Sequence, residues 1–184
     1  MARHGHSTPN LANLIVSKIE NGIKPENGLT SKGLAQATLS GQLFAMQIQG
    51  KPIVIISSPF SRALETANAI ATSFDVPVKL DENLRERSFG DFELTSGSNY
   101  QQFWDKDILD GDSNFANSES PNQVQKRMLS VVTKCENSNM SESYIVLVSH
   151  ADALLILETH FRQIPPKLHH SLPYILNAEI RSLN

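Results

Sequence analysis

The chain has 184 residues, 40% hydrophobic and 19% charged, and its 16 Lys and Arg against 19 Asp and Glu give a formal net charge of -3. That length fits one domain around one core, the balance excludes a disordered tail or a coiled coil, and the charge offers no general attraction for nucleic acid or acidic membranes. The single cysteine, Cys135, rules out an internal disulfide and any Cys-paired zinc site, while the apolar stretches 53–56 and 153–157 are far shorter than the ~18 residues of a membrane span. No basic-plus-apolar signal segment opens the chain, so a cytoplasmic setting is expected. In chain order, residues 31–49 read as a helix, and residues 53–56, Ile-Val-Ile-Ile, as a β-branched strand buried on both faces. A helix is expected over 62–74, followed by a weaker strand over 76–80. Residues 88–119 keep no steady period and are rich in Gly, Ser, Asn and Asp, which predicts a long loop or lid with a short helix near 100–107. A helix over 122–136, a second buried strand over 144–148, a helix over 151–161 and a weak strand over 179–183 complete the chain. Strand alternating with helix favours an α/β fold with parallel central strands.

Open α/β sheets bind ligands at the carboxyl ends of their strands, so the residues that follow each strand carry the functional information. After Ile56 comes Ser57-Ser58-Pro59-Phe60-Ser61-Arg62, after Val148 comes Ser149-His150-Ala151-Asp152, and after Leu80 comes Asp81 through Glu86. An arginine, a histidine and a carboxylate therefore reach one sheet edge. The N-terminus adds Arg3-His4-Gly5-His6-Ser7, in which Gly permits close backbone approach and Arg matches phosphate oxygens in a bidentate manner. Taken alone, this segment reads equally well as a solvated arm.

The segment is not alone. Arg3-His4-Gly5 with Ser7 and Asn10, Leu29-Thr30 with Gly33 and Gln36-Ala37, and Ser57-Ser58 with Arg62-Ala63 and Thr66-Ala67 form three ordered blocks. Leu84, Glu86 and Phe89-Gly90, then Glu119-Ser120 with Arg127, then Val148-Ser149-His150 add three more. In this order the six blocks resemble the histidine phosphatase superfamily, in the branch that includes phosphoglycerate mutases, over residues 3 to about 181. Asn13 through Ser17, followed by Glu20-Asn21-Gly22, is similar to small eukaryotic members rather than to the glycolytic mutases. The resemblance implies a single domain over 1–184 with 88–119 as lid, built as a three-layer αβα sandwich on a mostly parallel sheet. It also implies a phosphomonoester hydrolase that works through a phosphohistidine on His4. Arg3, Arg62 and His150 would hold the phosphoryl oxygens in place of metal ions, so no metal or other cofactor is expected. Gly5, Ser7, Asn10 and Ala151 would add contacts to the substrate. Glu86 would serve as general acid-base, with Asp81, Glu82, Asp91 and Glu93 as local alternatives.

Two features depart from the pattern. Ala151 stands where the family usually has Gly, and only Met1 and Ala2 precede Arg3 where the family has a full central strand. The second departure predicts a truncated first strand, a loosely positioned His4, marginal stability, and a natural chain that begins further upstream. The region 88–119 holds seven acidic residues and only Lys106 as a base, together with Phe89, Phe92, Tyr100, Phe103, Trp104 and Phe115. An acidic, aromatic lid offers few cations for a second anionic group, which favours a small phosphomonoester as substrate and hydrolysis over mutase-type transfer. Two other readings stay open. A metal hydrolase could use His4-x-His6 and His150-x-Asp152 as ligands, and a pseudophosphatase would bind phosphorylated ligands without turnover. His160, His169 and His170 are expected on surfaces or at helix and loop ends.

Overall fold

The computed structural model describes residues 1–138 and 143–183. Its elements are β1 (Ala2–Arg3), α1 (Thr8–Ala12), α2 (Ile19–Gly22), α3 (Ser31–Ile48), β2 (Ile53–Ser57), α4 (Ser61–Thr72), β3 (Val78–Leu80), α5 (Tyr100–Leu109), α6 (Pro121–Glu136), β4 (Tyr144–Ser149) and α7 (Ala151–Phe161), with short 3-10 turns between them. The four strands form one parallel sheet in the order β1-β4-β2-β3. Side chains alternate across a strand, and here each face has its own helices. Ile55, Val146, Val148 and Ala2 pack with Ala63, Ala67 and Ile70 of α4 and with Phe44 of α3. Ile56, Leu147 and Met1 turn the other way, onto Val124, Met128 and Val131 of α6 and Leu154 and Ile156 of α7. The result is a three-layer αβα sandwich. Among the described residues no helix is long and apolar enough to cross a membrane.

Local signals set the helix starts. The Thr30 hydroxyl accepts from the Gly33 N–H at the start of α3, and Ser120 with Gln123 forms a capping box ahead of Pro121 in α6, each satisfying donors the helix itself cannot pair. At the other end of α3 the chain leaves through Gln49 at φ 50° and Gly50 at φ +78°, the left-handed exit common at helix ends.

Two strands differ from expectation. β3 starts at Val78, since Pro77 has no N–H for the ladder. The strand expected over 179–183 is reduced to a single antiparallel bridge, Ala2 to Ile180, because β1 is too short to template more. That segment nevertheless holds β1 from outside. The Arg3 N–H donates to the Glu179 carbonyl at 3.1 Å, the Arg181 N–H to the Met1 carbonyl at 2.8 Å, and the Ala178 N–H to the His4 carbonyl at 3.2 Å. On the inner side the His4 N–H donates to the Ser149 carbonyl of β4 at 3.0 Å. A strand of two residues at the sheet edge thus has His4 bonded on both sides, where its short length predicts loose positioning.

Residues 88–119 carry α5 and a small core of their own. Ile15, Phe89 and Phe103 are buried there, with Phe92, Tyr100, Trp104 and Phe115 packed against them. The Arg87 guanidinium, 1% exposed, is locked by both oxygens of Asp107 and by Asp152, so α5 and α7 converge on one buried cation.

Parallel pairing of β1 with β4 covers only Val148 and Ser149. Beside Tyr144 through Leu147, a groove of about 660 Å³ opens next to Met1 and Ile180. Four alternating Val and Ile residues fused ahead of Met1 are expected to extend β1 into this groove and raise the Tm by at least ~2 °C, the shift that about 1 kcal/mol gives at this size. Thermal unfolding of the two chains measures it. An unchanged Tm would mean that the groove gains nothing from a paired strand.

Candidate active site

The carboxyl ends of β1, β4 and β2 lie side by side, and each delivers a nitrogen base or cation. β1 runs directly into His4, β4 into His150, and β2 through Ser57-Ser58 to Arg62 in the first turn of α4. The loop after β1 can take this path because two backbones cross almost in contact. A Cβ on Gly33 would lie 1.9 Å from the His6 carbonyl oxygen, and one on Gly5 would lie 2.4 Å from that of Gly33. The His4 ring is buried. Its Nδ1 lies 2.7 Å from the Gly5 carbonyl oxygen, which can only accept, so the proton is assigned to Nδ1 and the lone pair to Nε2. Arg62 Nε–H donates to that lone pair at 3.2 Å. Burial, then the charges of Arg62 and Arg3, hold the His4 pKa well below its ordinary value. The His150 pKa is lowered by the same burial and by Arg62, and its ring centroid is 5.2 Å from that of His4.

Around these rings, buried nitrogens stand without partners. Among the described residues Arg3 Nε, Arg62 Nη1 and His150 Nδ1 have no hydrogen-bond partner, although their neighbouring atoms are firmly tied. Arg3 Nη1 donates to the Tyr174 hydroxyl and the Ile175 carbonyl, Arg62 Nη2 to the Val16 carbonyl, and His150 Nε2 is paired with the Ser58 hydroxyl at 2.9 Å. A buried polar group without a partner costs about 1–3 kcal/mol. Three together, two of them cationic, make a socket for an anion.

A cavity of about 140 Å³ is lined by Arg3, His4, Arg62, Glu86, Tyr100 and Trp104, among others. Glu86 is buried, and its Oε1 accepts from the Arg87 N–H. Burial first, and the Asp152 carboxylate second, raise its pKa from 4.5 to about 7, against the opposing pull of Arg62. Arg127 fixes the Glu86 backbone. Its Nη atoms donate to the carbonyls of Asn83, Arg85 and Glu86, and it pairs with Glu119 through Nε and Nη2.

Of the other residues singled out from the sequence, Asn10 and Ala151 line the cavity. Gly5 donates its N–H to Thr66 Oγ1 at 2.9 Å, and Ser7 caps α1 with its hydroxyl bound to Asn10, so neither group is free to face a ligand. The alternatives Asp81, Glu82, Asp91 and Glu93 do not line the cavity. Asp81 caps a turn and pairs with Lys134, and Glu93 binds Ser17, Lys18 and Asn21. The ligand set of the metal-hydrolase reading does not assemble. His6 Nδ1 is paired with Thr30 Oγ1, and Asp152 lies with His169 and His170 rather than with His150. That trio also corrects the reading of the C-terminal histidines, for His160 is exposed whereas His169 is buried and His170 lines the cavity with Tyr174. Their pairing with Asp152 spans 17 and 18 residues, and no local pattern signals it. Most of the lid aromatics serve its own core, with only Tyr100 and Trp104 reaching the cavity.

Known proteins match the chain in sequence and in fold. The histidine phosphatase superfamily (branch 1) matches residues 1–184. A 2,3-bisphosphoglycerate-dependent phosphoglycerate mutase of Thermoplasma acidophilum is 27% identical over 166 residues, which are 89% of this chain and 76% of that protein. The solved phosphoserine phosphatase of Entamoeba histolytica, in complex with 3-phosphoglyceric acid, is 27% identical with a TM-score of 0.72, over 94% of this chain and 83% of that one. A mycobacterial glucosyl-3-phosphoglycerate phosphatase complexed with VO3 shares the fold with a TM-score of 0.80 at 22% identity, over 97% of this chain and 88% of that one.

The raised pKa of Glu86 has a consequence for stability. The folded state keeps this proton to higher pH than the unfolded chain does, so the associated stability is present below pH 4.5 and is lost as pH rises through about 7. The loss amounts to about 3 kcal/mol at 1.36 kcal/mol per pH unit. Glu86→Gln, which is isosteric and uncharged, should match the wild type near pH ~4 and exceed it by that amount near pH ~8. Urea unfolding at the two pH values checks this, and an equal difference at both would place the Glu86 pKa near its ordinary value.

Proposed function

The chain belongs to the histidine phosphatase superfamily, branch 1, and from that footing we propose that it hydrolyses small phosphomonoesters by passing the phosphoryl group through Nε2 of His4. The observation that carries this reading is the set of buried, unpartnered nitrogens, Arg3 Nε, Arg62 Nη1 and His150 Nδ1, around an imidazole whose lone pair lies on Nε2. With the Ser58 hydroxyl donating to His150 Nε2, the ring carries its proton on Nδ1, and two cations and that N–H suit the three equatorial oxygens of a phosphoryl group, stabilising its charge without reorganisation in the transition state.

In the first step the Nε2 lone pair attacks phosphorus while Arg62 Nε turns from the ring to a phosphoryl oxygen. The bond from phosphorus to the ester oxygen breaks, and the protonated Glu86 carboxyl gives its proton to the departing alcohol. In the second step the Glu86 carboxylate takes a proton from water, the oxygen of that water attacks phosphorus, and the P–N bond breaks. Inorganic phosphate leaves and His4 is again neutral. A carboxyl with a pKa of about 7 suits both duties, because it is a competent acid and a competent base near neutrality.

The cavity walls favour hydrolysis over mutase-type transfer. Its guanidinium groups, Arg3 and Arg62, are both committed to the phosphoryl socket, and among the described residues no lysine lines it. Tyr100, Trp104 and Tyr174 line the same cavity, which suits a neutral or aromatic alcohol better than a second phosphate.

Brief reaction with labelled substrate followed by alkaline quench should leave acid-labile, base-stable label on the N-terminal peptide, and His4→Ala should abolish both label and turnover. Wild-type turnover in His4→Ala would contradict the mechanism, and reversible binding of the ester with neither label nor turnover in the wild type would favour a pseudophosphatase. Glu86→Gln is expected to lower kcat for alkyl phosphates by ~10²–10⁴-fold and for activated aryl phosphates far less, when phosphoenzyme formation limits both. Efficient phosphoglycerate isomerisation, or a kcat/KM for 2,3-bisphosphoglycerate above that of simple monoesters, would reverse the choice of hydrolase.

A further inference from the structure

One side of the cavity holds a second cluster that the phosphoryl chemistry does not use. Asp152, in the first turn of α7, meets His169 and His170 from the turn Pro166–Ser171, and one carboxylate oxygen and the two ring nitrogens lie within 4.8 Å of one another. Asp152 Oδ1 is 3.2 Å from His169 Nε2, 2.9 Å from His170 Nε2 and 3.2 Å from Trp104 Nε1. Three nitrogens thus crowd an oxygen that has two lone-pair sites. His169 adds a second difficulty, since its Nδ1 lies 2.9 Å from the Pro166 carbonyl oxygen. That carbonyl can only accept, so a proton belongs on Nδ1, and in the neutral ring the Nε2 lone pair then faces a carboxylate.

We propose that Asp152, His169 and His170 form a binding site for a divalent transition metal, Zn²⁺ by its donor set, separate from the phosphoryl socket. Two imidazoles and one carboxylate are a common zinc ligand set. In a tetrahedron with bonds of ~2.0–2.1 Å, ligand atoms stand ~3.3–3.4 Å apart, close to the two O–N separations found here. A cation between them would use the Nε2 lone pairs and relieve the crowding at Oδ1. The Pro166 carbonyl supplies the outer hydrogen bond that fixes a ligating histidine's tautomer and orientation. Arg87 Nη1 touches the other Asp152 oxygen at 3.2 Å, but its charge is already matched by both oxygens of Asp107, so Oδ1 remains available. The ion would join α7 to the turn after it, and because Asp152 and His170 line the cavity it would form part of the wall that the substrate meets. This site does not depend on which reaction the socket performs.

The test is Zn²⁺ binding to the whole chain, read by equilibrium dialysis and by competition with a chromophoric chelator, with Co²⁺ absorption reporting the coordination geometry. One Zn²⁺ per chain is expected, with an intense tetrahedral Co²⁺ spectrum. His170→Ala, at a partly exposed position, should weaken binding by at least the ~10–100-fold that loss of an outer-shell partner costs, and Asp152→Asn should do the same. His160→Ala, which removes an exposed imidazole outside the cluster, should leave affinity unchanged. No bound Zn²⁺, octahedral Co²⁺ only, or affinity undiminished in folded His170→Ala would overturn the assignment, the last by placing the ion at other ligands.

Discussion

The hydrogen bond from His4 Nδ1–H to the Gly5 carbonyl is the constraint on which the rest of the site depends. It spans neighbouring residues, yet it directs the lone pair of a buried ring to Nε2, toward Arg62. Two guanidinium groups then act on the ring in opposite senses. Added to the larger effect of burial, their field opposes protonation and keeps the nitrogen available for attack, while their unpartnered N–H groups draw an anion toward that nitrogen. A histidine in the same place without Arg3 and Arg62 would be protonated more readily and would have less to attract.

The carboxylate side of the cavity works on the reverse principle. Glu86 is held by its backbone, through Arg127 and Glu119, so that its side chain is free of the strong ion pairs that would depress its pKa. The nearest buried arginine in sequence, Arg87, is taken up by Asp107 and Asp152. Cations that could have neutralised Glu86 are thereby assigned elsewhere, and of the lid's acidic residues Asp107, Glu119 and Glu93 are drawn into this bracing while Asp91, Asp105, Asp110 and Asp112 stay exposed. Asp107 serves Arg87, Glu119 serves Arg85 and Arg127, and Glu93 caps the segment that starts at Ser17. The lid is a small packed body whose charges brace the site, with two aromatic side chains, Tyr100 and Trp104, left to meet the substrate.

Much of this was readable from residue order, and the parts that were not have physical reasons. Strands β2 and β4 and the four long helices show in periodicity because each buries a continuous stripe or both faces. Arg3, His4, Arg62 and Glu86 stand at strand ends in a recognisable order, and the structure gathers them around one cavity. The roles of Gly5 and Ser7 were less legible, since their groups are spent on Thr66 and on the cap of α1. The core of the lid has no period because Ile15, Phe89 and Phe103 come from three separate turns of chain. The cluster of Asp152, His169 and His170 depends on the turn that folds Pro166–Ser171 back against α7, a long-range event without a local signature. Likewise, the outer support of β1 comes from backbone groups of residues 178–181 at the far end of the chain.

The state of the His4 ring in the resting protein is the most direct measure of this arrangement. Nitrogen-15 NMR of ring-labelled protein, with the His4 signals assigned by substitution, reports both its charge and which nitrogen carries the proton. The expected spectrum is that of a neutral imidazole protonated on Nδ1, unchanged from pH ~8 to below the ordinary histidine value of ~6.5. A His4 that titrates to imidazolium at or above that value, or that carries its proton on Nε2, would contradict a nucleophile held ready by Gly5, Arg3 and Arg62.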